Sequence, residues 1–197
     1  MQTTGRSVTH VPPGEGKSVW MVGTDLITFK AASEDTDGAF ALFDMVILSQ
    51  GGPPPHIHHR EDESFYVLGG QIDVFDNGRT IRATTGSFVH IPKGTVHAFK
   101  NVGKELARML VLVTPAGLDK FFEEMGETGT DASSPPAPPD QEYFERFGAT
   151  AQNVRHRSCD LAKEQGVKRD EIFRACLPRF TLPSPAAAIS GGSSLPR

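Results

Sequence analysis

His56, His58 and His59 fall within four consecutive positions, with Glu63 a short step behind and His97 further along the chain. Three imidazoles and a carboxylate are a donor set for a first-row divalent metal, and the absence of a thiolate argues against a soft-metal or purely structural zinc role. In an extended strand alternate side chains share a face, roughly 6.6–6.8 Å apart. His56 and His58 therefore look one way and His59 the other. Glu63 lies an odd number of residues from His58, so a turn or bulge must intervene before the two share a face. Arg60-Glu61-Asp62 is polar enough to be that turn. Phe65-Tyr66-Val67-Leu68 then reads as a new strand ending at Gly69-Gly70. His97 completes the set from a strand, tight turn and strand over 91–97, in which Pro92 fixes φ and Gly94 permits backbone angles closed to other residues. A lone buried histidine is more often a hydrogen-bonded core residue, and Glu63 alone would be a surface charge. Together they favour metal, because burying a carboxylate without a cation is costly. His59, His90, His10 and His156 are not expected to be ligands.

These residues resemble a known family. The run His56-x-His58-x4-Glu63-x6-Gly70 is similar to the first cupin motif, and Gly86-x5-Pro92-x-Gly94-x2-His97-x3-Asn101 to the second, with 15 residues between them. The glycine expected six positions before the first histidine is Gln50 here, followed by Gly51 and Gly52, a departure that bears on the turn leading into the motif. The resemblance covers about residues 18–115 and is greatest to single-domain cupins of the quercetin-dioxygenase-like group. It implies an all-β fold, a small jelly-roll barrel holding one divalent transition metal per chain (iron, manganese, nickel, cobalt or copper).

The elements that must position these ligands are legible as short apolar/polar alternations punctuated by glycine, proline and Asp76-Asn77-Gly78, a hairpin turn. Strands are expected over 19–22, 26–30, 39–48, 64–68, 71–75, 79–83, 87–91, 97–101 and 107–113. By parity Phe65 and Val67 face the cavity with Glu63, and Phe99 with His97, which makes these three the candidate substrate pocket; Tyr66 faces away. Organisation along the chain reads as an N-terminal arm (1–17), the barrel (18–115), and a short amphipathic helix (116–126) with Leu118, Phe121, Phe122 and Met125 on one side. A Ser/Pro-rich linker (127–140), a helical extension (141–177) beginning with Tyr143, Phe144 and Phe147, and a disordered tail (178–197) follow. The expected fold class is therefore a cupin jelly-roll barrel with short C-terminal helices.

The 197 residues suffice for one good core but not two ordinary domains, and 20 glycines with 15 prolines suit a turn-rich β protein. A net charge of -4 leaves no basic stripe for nucleic acid. No apolar run approaches the roughly 20 residues of a membrane helix, and residues 1–17 lack the pattern of a secretion signal, so a cytoplasmic location is expected. Cys159 and Cys176 are expected as free thiols.

Four protein donors leave one or two positions open on a five- or six-coordinate metal, which suits catalysis. The resemblance implies a dioxygenase acting on a small aromatic or enolisable substrate, with Glu63 as general base as well as ligand. A metal-dependent isomerase or epimerase of a sugar or keto acid, and a non-catalytic small-molecule-binding cupin, are the alternatives. The family also implies a homodimer, with the strands before Ala39 the ones exchanged or shared.

Overall fold

The alternation that marks the strands is also what sorts them into a barrel. In β10 (Ala107–Thr114) the side chains of Ala107, Met109, Val111 and Val113 are buried, whereas Arg108 and Leu112 are exposed. The inward set meets Met45, Phe43 and Ala41 of β3 (Ala41–Ile47) on one side, and Val67, Phe65 and Glu63 of β5 (Asp62–Gly69) on the other. A carboxylate thus occupies an inward row that is otherwise apolar. The computed structural model describes residues 8–147, apart from Asn77 and Phe144.

The remaining strands are β1 (Ser18–Met21), β2 (Asp25–Ala31), β4 (His56–Ile57), β6 (Gln71–Asp76), β7 (Arg79–Thr84), β8 (Phe88–Ile91), β9 (Val96–Asn101) and β11 (Glu127–Thr128), with helices α1 (Ser33–Thr36) and α2 (Leu118–Met125). They form two antiparallel sheets, in the order β11-β1-β2-β3-β10-β5-β8 and β4-β9-β6-β7. One core, shared by the inner faces of both sheets, lies between them. This is the all-β jelly roll that the pattern implied.

Each of the nine expected strands is present, with ends shifted by a residue or two. Two further short strands are present. β4 holds His56 and Ile57 of the extended run that the His56–His58 spacing implied, with His58 in the turn beyond, and β11 falls in the stretch expected to be linker. β11 pairs with β1, the sheet edge where unpaired backbone groups accept a partner of almost any sequence. Asp76 pairs with Arg79, so residues 77 and 78 make the hairpin connection, with Gly78 at φ +86°; Asn77 itself lies outside the described residues.

The two sheets differ in width, and α2 covers what the narrower one does not reach. Phe121, Phe122 and Met125 are buried. Phe122 meets Phe43 edge-on at 5.1 Å between ring centroids, and Phe43 meets Phe29 at 5.2 Å. Residues 141–143 and 145–147 are helical. Tyr143 accepts a hydrogen bond from the Val22 backbone N–H on its hydroxyl (3.0 Å), and the ring of Phe147 packs on Phe121 (5.0 Å). Phe144, the rest of the expected extension, the tail, Cys159 and Cys176 lie outside the described residues.

Two buried polar groups illustrate opposite solutions. Asn101, the last residue of the second motif, is fully satisfied: its side-chain amide donates to the carbonyls of Ile47 (3.0 Å) and Glu105 (2.8 Å), and its oxygen accepts from Gly103 N–H (2.9 Å). It ties the ends of β9 and β3 to the turn before β10, a structural role. Asp25 is buried with one hydroxyl donor, Thr24 Oγ1 at 3.1 Å. Burial pushes its carboxyl up from 3.8 to about 7, against the smaller downward pull of Thr24. An unfolded chain ionises this group near pH 4, while the folded one keeps it neutral to about pH 7. The contribution of Asp25 to stability is therefore full below about pH 4 and declines as pH rises to about 7, by on the order of 4 kcal/mol at about 1.4 kcal/mol per tenfold. Asp25→Asn is expected to melt well above the unaltered protein at pH 8 and close to it at pH 4; parallel melting curves at both pH values would contradict this assignment.

Candidate metal centre

The candidate ligand residues come from three strands and one turn. β4 pairs with β9 so that His56 stands directly opposite His97, and β5 pairs with β8 so that Glu63 stands opposite Ile91. His58 follows β4 in the turn that leads to β5. That turn is held from both sides. The Gly94 N–H donates to the His58 carbonyl (2.7 Å), the Lys93 N–H to Asp62 Oδ1 (2.8 Å), and the Arg60 guanidinium to the Ala116 carbonyl (3.1 Å). The tight turn of the second motif is thereby bonded to the first. Gly94 has φ +84° and open space where a Cβ would be, so glycine is required there for the backbone angle alone. Gly52 is required for both reasons: at φ +133° an added Cβ would fall 2.1 Å from the Phe99 carbonyl oxygen. Gln50, which stands where the family has glycine, adopts φ +64°, a left-handed conformation that costs other residues about 1–2 kcal/mol.

His56, His58, Glu63 and His97 each offer one ligand atom, and all four atoms lie within 4.8 Å of one another. Opposite ligands of a common ion at 2.0–2.2 Å are about 4.2 Å apart, so small inward shifts suffice. Glu63 is only 5% exposed and His97 is 2% exposed. The Nδ1 of His56 faces the Pro54 carbonyl at 2.9 Å, and that of His97 faces the Thr95 carbonyl at 3.1 Å. A carbonyl only accepts, so both Nδ1 atoms carry the hydrogen, and the Nε2 atoms are left to face the cluster. In each case the acceptor lies two residues before the histidine. His58 Nε2 is buried with no hydrogen-bond partner, at 3.7 Å from Glu63 Oε2. An orphaned imidazole nitrogen aimed at a buried carboxylate is what a cation would satisfy.

Electrostatics point the same way. Burial, followed by the neighbouring His58 and His97, pushes His56 down to about 3, so its imidazole is neutral and can donate its lone pair at any physiological pH. Burial would raise Glu63, but the His97 hydrogen bond (Nε2–Oε2 3.0 Å) and the three imidazoles outweigh it and hold the carboxyl below its ordinary value. Burial likewise lowers His97, but Glu63, the Thr95 carbonyl and Asp76 outweigh it and leave the group raised. The residues fit a divalent metal: three nitrogens, one anionic oxygen, and supporting groups that fix two of the rings.

Phe65 and Val67 are fully buried and Phe99 nearly so, with the Phe65 and Phe99 rings edge-to-face at 5.4 Å. They form the apolar floor beside Glu63 and His97. Tyr66 is exposed on the outer face. His59 is half-buried outside the cluster, and His90 is exposed and bonded to Ser64 Oγ at 3.0 Å. A cleft of about 250 Å³ reaches His97 from the gap between β7 and β8. It was not legible in the sequence. The supporting Pro54 and Thr95 carbonyls and Asp62 were also missed, since a backbone acceptor leaves no compositional mark.

Residues 43–113 match the family model described as "Cupin domain". Among curated proteins, the chain is 30% identical over 119 residues to quercetin 2,3-dioxygenase of Bacillus subtilis, covering 58% of this chain and 33% of that one. It is 37% identical over 76 residues to probable oxidoreductase virH of Hypocrea virens, covering 37% of this chain and 35% of that protein. The chain thus spans about a third of the length of these relatives. Among solved structures, KdgF from Halomonas sp. superposes with a TM-score of 0.52 at 18% identity, over 58% of this chain and 99% of that one. A predicted oxalate decarboxylase from Thermotoga maritima gives 0.51 at 18% identity, over 54% and 98%. At these identities the structural likeness speaks for the fold.

Asp62→Ala, which removes the acceptor for Lys93 N–H without touching a ligand, is expected to weaken metal binding by about 10–100-fold. A competition titration against a chelator, with circular dichroism as the control for folding, measures this. Affinity equal to that of the unaltered protein would show that the turn needs no such support.

Proposed function

We propose that the chain, whose residues 43–113 match the cupin domain model, is a metal-dependent oxidoreductase of the quercetin-dioxygenase-like group, cleaving a small aromatic or enolisable substrate with dioxygen. The observation that carries this reading is the His56, His58, Glu63 and His97 cluster with an unsatisfied imidazole nitrogen, reached by a cleft. The partial likeness to a quercetin dioxygenase and to a probable oxidoreductase supports it.

When bound by these four residues, an iron, manganese, nickel, cobalt or copper ion supplies Lewis acidity toward a substrate oxygen and, for the redox-active metals, electron transfer. The chain's own part is to hold the proton and exclude water. The Glu63 carboxylate accepts the proton of a substrate hydroxyl; the imidazoles around it keep it ionised and ready to do so. The Nδ1–H bonds of His56 and His97 keep both rings from turning as charge moves through the site. Phe65, Val67 and Phe99 exclude water from the space beside Glu63. A metal-dependent isomerase or a non-catalytic binding cupin would use the same ligands without consuming oxygen.

Metal analysis of the purified protein beside His58→Ala, followed by oxygen uptake with hydroxylated aromatic and enolisable compounds, tests the reading. Near-stoichiometric metal, lost in the variant, with substrate-dependent uptake is expected. Glu63→Gln is expected to keep some metal and lose about 100-fold or more of its turnover. Metal without oxygen uptake would contradict the dioxygenase reading, and full activity in Glu63→Gln would contradict the assignment of the base.

A further inference from the structure

Ile81 is out of keeping with its position. It lies in β7 directly opposite Val74, which is 1% exposed, so its side chain is on the core side of the four-stranded sheet, yet it is 43% exposed. An inward side chain is open to solvent only where nothing fills the space across from it. β7 is the outer strand of one sheet and β8 of the other, and no ladder joins them among the described residues. The gap between them is the cleft of about 250 Å³. Its inner end is His97. Along β8 it passes Val89 and Ile91, whose cross-strand neighbours are Phe65 and Glu63.

The walls are mixed. Val74, Ile81, Val89, Ile91 and Pro92 form the apolar share of the lining, and Asp76, His90, Thr95 and His97 the polar share. The Asp76 carboxylate is bonded to the Arg79 guanidinium at 2.6 Å, so size rather than charge is what these walls select. The volume is below the roughly 300–1,000 Å³ of sites that take drug-sized ligands.

We propose that the β7–β8 gap is the substrate channel of the metal centre, and that Ile81 and Val89, one on each lip, restrict it to molecules of one ring or a short enolisable chain. The assignment rests on the proposed function for its chemistry but makes a separate claim about binding. It disfavours three-ring flavonols.

The test uses the full zinc-loaded chain with 13C-labelled isoleucine and valine methyl groups. Two probes are titrated: p-cresol, with one ring, and flavone, with three. p-Cresol is expected to shift the methyl signals of Ile81, Val89 and Ile91 and to bind at least tenfold more tightly than flavone. Ile81→Ala should admit flavone and reduce the preference for one ring at least tenfold, while Val89→Phe should fill the channel and abolish p-cresol binding. Flavone binding the unaltered protein as well as p-cresol, or shifts confined to other methyl groups, would overturn the proposal. Oxygen uptake with a flavonol by the unaltered protein would sink the channel assignment alone. Cresol binding in the channel without oxygen uptake on any compound would sink the dioxygenase reading alone.

Discussion

A carboxylate in the wall of an apolar barrel is the constraint around which the molecule is arranged. Glu63 has Val113 on one side and Ile91 on the other, and an isolated charge in such a setting would be far too costly to ionise. Three imidazoles converge on it and reverse that expectation. Burial still acts on every member, driving His56 towards neutrality, yet the cluster as a whole holds Glu63 ionised. Imidazole nitrogens gathered around a fixed anion are the electrostatic complement of a divalent cation.

The jelly roll brings these groups together by two kinds of bond. Strand pairing places His56 opposite His97 and sets Glu63 in the inward row of β5. Hydrogen bonds between loops do what strand pairing cannot, joining the His58 carbonyl to the Gly94 N–H and Asp62 to the Lys93 N–H. The two halves of the site are 34 residues apart along the chain, from Glu63 to His97, and meet because each half presents a turn that bonds to the other. The unequal widths of the sheets then settle the rest: α2 covers the inner face on one side, and on the other the β7–β8 gap stays open above His97.

Much of this was legible because the signals were periodic or chemical. Alternation located the nine longer strands, and the parity of 56, 58, 63 and 97 with one intervening turn identified the residues that the structure gathers within 4.8 Å. Where the sequence was silent, the reason is physical. The two residues of β11 are too few to show a period. Pro54 and Thr95 act through carbonyl oxygens that every residue possesses. The outward gap at Ile81 depends on how far apart two strand edges end, which no local pattern encodes. Gln50 is the converse case, a visible departure from the family pattern that the backbone absorbs by adopting the left-handed angle itself.

The proposed centre has four side chains from two motifs holding one ion, through Nε2 in the case of His56 and His97. X-ray absorption of the cobalt-loaded protein tests this. A single environment of three imidazole nitrogens and a carboxylate oxygen at about 2.0–2.2 Å is expected, losing one nitrogen in His58→Ala and the carboxylate oxygen in Glu63→Ala. A first shell of water and carboxylate oxygen without imidazole scattering, or one unchanged in both variants, would place the ion elsewhere and contradict it.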